Sequence, residues 1–167
     1  EATNGISSSE ASDGVEVLVT LPSDAVAGDV ITVSIDGGTA VTHTVTAAEV
    51  AAISTPITVT LPQSAISAAG EGAATITTTV TDSSGNVSTP ITTNVTIDTV
   101  APATPASVSV PEATNGINAS EASDGVEVLV TLPSDAVAGD VITVSIDGGT
   151  PVTHTVTAAE VAALATP

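Results

Sequence analysis

This 167-residue sequence contains no Lys, Arg, Cys, Met, Trp, Tyr or Phe. Each absence excludes something. Nineteen acidic residues face no fixed cation, giving a formal net charge of −19 at neutral pH. Such a surface repels nucleic acid and anionic lipid, so neither is expected as a partner. No Lys or Arg salt bridge can form, and neutralisation must come from cations in solution. Without Cys there is no disulfide framework, no thiolate metal site and no thiol nucleophile. Without aromatic rings the core must be built from Val, Ile, Leu, Ala and Thr methyl groups, and no ring is available to stack on a sugar. No apolar run approaches the roughly 18 residues a bilayer-spanning helix needs, so this segment is not expected to insert into a membrane.

What is present favours a folded chain. Hydrophobic residues make up 42%, well above the level expected of a disordered acidic segment. The dominant feature is a repeat. Residues 1–56 recur as residues 112–167, at a constant offset of 112 − 1 = 111, and only five of the 56 positions differ: Ser7/Asn118, Ser8/Ala119, Ala40/Pro151, Ile53/Leu164 and Ser54/Ala165. Near-identity over such a span marks a tandem duplication.

Residues 1–14 are rich in Asn, Gly, Ser and acidic side chains and read as a long loop. Residues 15–21 alternate, with Val15, Val17, Val19 and Leu21 on one face of a strand. Residues 30–35 place Ile31, Val33 and Ile35 together, and Asp36-Gly37-Gly38 supplies the positive-φ residues of a tight hairpin into a strand over 41–46. Thr46-Ala47-Ala48-Glu49 matches a capping box and predicts one helical turn before Pro56. Further strands are expected at 57–61, 74–81 and 87–97, with a loop at 62–72 and a turn at 82–86. Pro90 marks an edge or a bulge.

The sequence thus predicts an all-β protein: tandem immunoglobulin-like antiparallel β-sandwiches, about seven strands per 111-residue repeat. A first repeat over 1–98 lacks its opening strand, 99–105 forms a Pro-containing semi-rigid linker, and a second repeat over 106–167 holds only the N-terminal half. The expectation is that this stretch is an excerpt of a longer array, or that another chain completes the partial unit. Alternating strand directions gather loops 1–14, 36–38 and 63–72 with Asp98 at one pole, and loops 23–29 and 82–86 with the helical turn at the other.

Calcium is the expected ligand of the acidic loops, because it takes six to eight hard oxygen donors in irregular geometry. The candidates in the first copy are Glu1, Asn4, Glu10 and Asp13; in the second they are Glu112, Asn115, Glu121 and Asp124, with Asn118 beside them. Asp82 in the turn and Asp98 at the linker are further candidates. The turn Asp82-Ser83-Ser84-Gly85-Asn86 lacks the third acid and closing Glu of an EF-hand. His43 and His154 occur once per copy with no neighbouring His or Cys, which predicts a structural role. No nucleophile elbow or oxyanion signature is present, so no enzymatic activity is expected.

The runs Ile117-Asn118-Ala119-Ser120-Glu121-Ala122, Thr81-Asp82-Ser83-Ser84-Gly85-Asn86-Val87 and Ile97-Asp98-Thr99-Val100-Ala101-Pro102 together resemble the bacterial immunoglobulin-like repeats of giant RTX adhesins. That resemblance implies calcium-rigidified extender domains of an extracellular stalk, exported by type I secretion, with neighbouring repeats of the same chain as partners. It implies Glu10, Glu121, Asp82 and Asp98 as calcium ligands and puts the role of Ser7, which stands where the second copy has Asn118, in question. The competing expectation is an adhesion module that recognises carbohydrate or a host surface protein.

Overall fold

The computed structural model describes residues 5–164. The chain divides into two compact units, Glu1–Val100 and Ala101–Pro167.

The first unit is a two-sheet sandwich. Its larger sheet runs β1-β7-β6-β3-β4, built from β1 (Ile6–Ser7), β3 (Val30–Ile35), β4 (Val41–Thr44), β6 (Gly72–Thr81) and β7 (Ile91–Asp98). The smaller pairs β2 (Val15–Val19) with β5 (Ile57–Leu61). All these pairs are antiparallel except β1–β7, which is parallel, with Ile6 opposite Ile97 and Ser7 opposite Asp98. That pair corrects the expectation of a purely antiparallel sheet. Residues 6–7 join the edge of a strand far along the chain, a pairing no local pattern specifies.

The core forms where the alternating faces meet. Ile31, Val33 and Ile35 from β3 are fully buried against Ile57, Val59 and Leu61 from β5, with Val19, Leu21, Ile76 and Ile97 around them. β-branched side chains dominate, as the pleated sheet favours. The β3–β4 hairpin turns through Asp36 and Gly37 at φ 48° and 67°, and Gly38 N–H donates to Ile35 C=O at 2.9 Å. Asp36 also ties the turn to β6: its carboxylate accepts from Thr75 N–H at 2.7 Å, and its own N–H donates to Thr75 C=O at 2.9 Å.

Two segments expected to be loops are helical. Residues 1–14 contain β1 and α1 (Ser8–Asp13), whose Ala11 is buried. Residues 62–72 contain α3 (Gln63–Ala69), with Ala65 and Ile66 buried and Gly70 ending it at φ 82°. These helices pack on each other at one end of the sandwich. At the other end lies α2 (Ala47–Ala51), begun by the expected Thr46–Glu49 capping box. The last strand is shorter than expected: Val87 makes only an isolated bridge to Thr81, and regular pairing starts at Ile91, beyond Pro90.

The second unit contains β8 (Ser107–Ser109) paired antiparallel with β9 (Leu129–Thr131), and β10 (Val141–Val144) paired antiparallel with β11 (Val152–Thr155). A tight helical turn, Pro111–Asn115, and helices α4 (Glu121–Asp124) and α5 (Ala158–Ala162) complete it. β9 corresponds to residues 18–20, overlapping the end of β2, and β10 has the sequence of part of β3. In one unit this shared strand pairs with β5, in the other with β8.

Candidate functional site

The acidic side chains are held by their own loops. At the start of α1, Ser7 and Glu10 form a capping box: the Glu10 carboxylate accepts from Ser7 N–H at 2.9 Å and from Ser7 Oγ at 2.7 Å, while Glu10 N–H donates to Ser7 Oγ at 3.4 Å. In the second copy Asn118 does the same work. Its Oδ1 accepts from Ser120 N–H at 2.8 Å and Glu121 N–H at 3.2 Å, and its N–H donates to the Glu121 carboxylate at 2.7 Å. Ser and Asn are both strong N-caps, so the Ser7/Asn118 difference preserves one local role. The spacing Ser7-x-x-Glu10 carried that signal in the sequence. The serine-rich, acidic composition concealed it.

The pole that carries α1 also gathers the end of β7. Ser7 pairs with Asp98, and Gly72 lies opposite Ile97. The backbone row thus sets Ser7, the cap of Glu10, beside Asp98 in β7, and Glu71 directly precedes the Gly72 end of β6 at the same edge. Glu71 was not among the sequence candidates. Its carboxylate accepts the Thr99 N–H at 2.9 Å and the Thr99 hydroxyl, securing the first residue after β7. Glu10, Asp13 and Glu16 line a cleft with Gly5, Gly14 and Thr60. Asp82 lies at the other end of β6, where its oxygens accept from Ser84 N–H at 2.9 Å, Asn86 N–H at 2.8 Å and Asn86 Nδ2 at 2.8 Å.

These contacts hold the carboxyls ionised. The Ser7 backbone N–H, then its hydroxyl, places the Glu10 carboxyl below its usual range. The Thr99 hydroxyl does so for Glu71, and the Asn86 amide for Asp82. Glu49 is lowered furthest, to about 2, by the Thr46 N–H and hydroxyl and then by His43. His43 Nε2 lies 2.9 Å from Glu49 Oε1, and His154 Nε2 lies 2.8 Å from Glu160 Oε1.

For calcium, the donor chemistry of this row fits and the geometry is open. Hard carboxylate oxygens with lone pairs beyond those used by protein donors are what the ion takes. Yet Glu10 turns to Ser7 and Glu71 to Thr99, and among the described residues no three acidic or imidazole side chains converge. In the second copy, Glu112 accepts from Glu127 N–H at 3.4 Å, and Asp124 is exposed at the end of α4. Glu1 and Asn4 lie outside the described residues, as does the side chain of Asn115.

One charged group is buried among the described residues. Asp29, 5% exposed, accepts from Val26 N–H at 2.9 Å through Oδ2, while Oδ1 has no protein partner. The sequence reading passed over it as part of a connection. No helix among the described residues is long and apolar enough to cross a membrane.

No family model matches the sequence, and no curated protein is significantly similar to it. A solved structure described as "Structural insight into host cell surface retention of a 1.5-MDa bacterial ice-binding adhesin" is similar at 30% identity, with a TM-score of 0.47. The match covers 93% of this chain and 47% of that one, so the chain spans about half of that structure's length. A TM-score at this level is too loose to argue from.

Proposed function

We propose that this chain is part of the stalk of a large bacterial cell-surface adhesin, a spacer of immunoglobulin-type repeats stiffened by calcium. The observation that carries this reading is the duplication itself. The same 56 positions, with five differences, occur twice at a spacing of 111, and the β3–β4 hairpin recurs in the same register as β10–β11. An array of near-identical modules sets length and stiffness. The resemblance of the 81–87, 97–102 and 117–122 runs to adhesin repeats supports the same reading, along with an extracellular location reached by type I export.

Calcium enters through charge. With no Lys or Arg, the carboxylates around Asp98 have no fixed counter-charge, and a divalent cation bound there would change repulsion into attraction. Glu10, Asp98 and Glu71 would hold it, with Asp82 at the opposite pole and Glu112, Glu121 and Asp124 in the second copy. Extracellular calcium modules bind at roughly 10⁻⁴–10⁻³ M, so such sites would fill only outside the cell.

Thermal melts and small-angle scattering, in calcium and then in EDTA, test this. The expected outcome is a higher melting temperature and a larger maximum dimension with calcium. Identical curves under both conditions would sink the calcium reading. Asp98→Asn is expected to weaken the calcium response while leaving the first unit folded, because Asp98 is exposed and outside the core.

A further inference from the structure

The segment that joins the two units is held at both ends by carboxylates. At its start, β7 ends at Asp98 and the chain leaves the sheet. Glu71, just before the first residue of β6, receives two donors from Thr99: the N–H at 2.9 Å and the hydroxyl. The β6–β7 ladder places Glu71 there, since Gly72 lies opposite Ile97. Its side chain therefore meets the chain just past the strand end. Thr99 is half-buried, whereas Val100 is 68% exposed.

At the far end, Asp135 Oδ2 accepts the Ala103 N–H at 3.0 Å. Asp135 stands in a turn closed by Ala136 N–H on Pro133 C=O at 3.2 Å, and Ala136 is buried. Ala106 N–H then donates to Thr131 C=O at 2.9 Å, and Ser107 Oγ donates to Thr131 Oγ1 at 2.9 Å as β8 begins. Thr104 and Pro105 are thus enclosed between two fixed points of the second unit.

Val100, Ala101 and Pro102 are left between these contacts. Among the described residues neither Val100 nor Ala101 pairs its N–H with another backbone group, and Pro102 has no N–H to pair. The proline ring sets the φ of Pro102, and Ala101 before it is kept out of the helical region. Val100 alone keeps an unrestricted pair of dihedrals.

We infer that Glu71 and Asp135 are latches that shorten the free joint from residues 99–105 to residues 100–102. Each latch closes within its own unit, on a backbone N–H. Such a bond to a carboxylate is charge-assisted and stronger than a neutral one. The device needs no metal, so it goes beyond the calcium-stiffened stalk and stands or falls separately from it. Loss of Glu71 returns Thr99 to the joint; loss of Asp135 returns Ala103 and Thr104.

The test is amide exchange and amide nitrogen relaxation on the full chain, first in EDTA and then in calcium. In EDTA the Thr99 and Ala103 amides are expected to exchange at least about tenfold more slowly than Val100 and Ala101, corrected for intrinsic rates. Glu71→Ala is expected to abolish protection at Thr99 and spare Ala103, and Asp135→Ala the reverse. Asp24→Ala removes the residue of the first copy that corresponds to Asp135 and is expected to change neither. In the double variant Glu71→Ala/Asp135→Ala, order parameters at Thr99 and Ala103 are expected to fall from about 0.85 to below about 0.6. Unchanged values in β3 and β10 would show that both units stay folded. Equal exchange at all four amides, or protection that survives loss of its carboxylate, overturns the proposal. Protection that appears only when calcium is added also overturns it, and makes Glu71 a metal ligand instead. Protection in EDTA without any response to calcium upholds the latches and removes the calcium reading alone.

Discussion

Single residues here are constrained by what the backbone places next to them. Gly14 and Gly125 have the same sequence surroundings and similar φ, 85° and 96°, but only Gly14 faces a wall, with Thr60 Cγ2 at 2.8 Å and Leu61 C=O at 2.9 Å. Gly14→Ala is expected to cost more than about 1 kcal/mol, from backbone strain plus the clash, and Gly125→Ala noticeably less. Chemical denaturation of the two variants compares them. Asp29 is the other such position. Asp29→Ala removes a buried carboxylate and leaves the part-buried Val26 N–H without its acceptor, and a loss of about 1 kcal/mol is expected in the same measurement.

Among elements, the short helices depend on their caps. Glu49 accepts both Thr46 donors and faces His43, which lowers its carboxyl from 4.5 to about 2. A depressed folded-state value means that the stabilisation is complete above the unfolded value and is lost as pH falls through the folded one. The Glu49 contribution should therefore fade between about pH 4.5 and pH 2. Falling pH also neutralises other carboxylates and eases repulsion, so the informative quantity is a difference. The melting temperature of the parent chain minus that of Glu49→Gln is expected to shrink over this interval, and a constant difference would show that the cap does not titrate. Thr46→Ala is expected to cost about 1 kcal/mol through loss of the cap. Strand β3 shows the complementary dependence on tertiary contact: its six residues need β6, and the same sequence in β10 holds four.

For the whole molecule, the duplication provides an internal control. Ile35→Ala empties a fully buried site and is expected to cost roughly 2–5 kcal/mol. Ile146→Ala, the same change at 76% exposure, should fall within about 0.5 kcal/mol. Calorimetry of both variants separates burial from sequence. A similar cost at the two positions would show that the second unit is covered in solution.

The sequence by itself determined the strands whose patterns are strictly local. Ile31, Val33 and Ile35 alternate, Asp36-Gly37 accepts positive φ, and Thr46-x-x-Glu49 closes a cap; each appears where expected. It also set the charge, whose sign opposes binding to a polyanion whatever the fold. Only tertiary structure decided the rest. Ile6 and Ala11 are buried in a stretch of polar composition because β1 finds β7 in parallel, some 90 residues later in the chain (97 − 6 = 91). Glu71 secures Thr99 across 28 residues, a contact created by the antiparallel β6–β7 pair. Whether the repeated strands bury their apolar faces was likewise beyond local pattern, because identical residues are covered in one unit and bare in the other. Burial belongs to the partner as much as to the residue, and the partner strands are not part of the 56 shared positions.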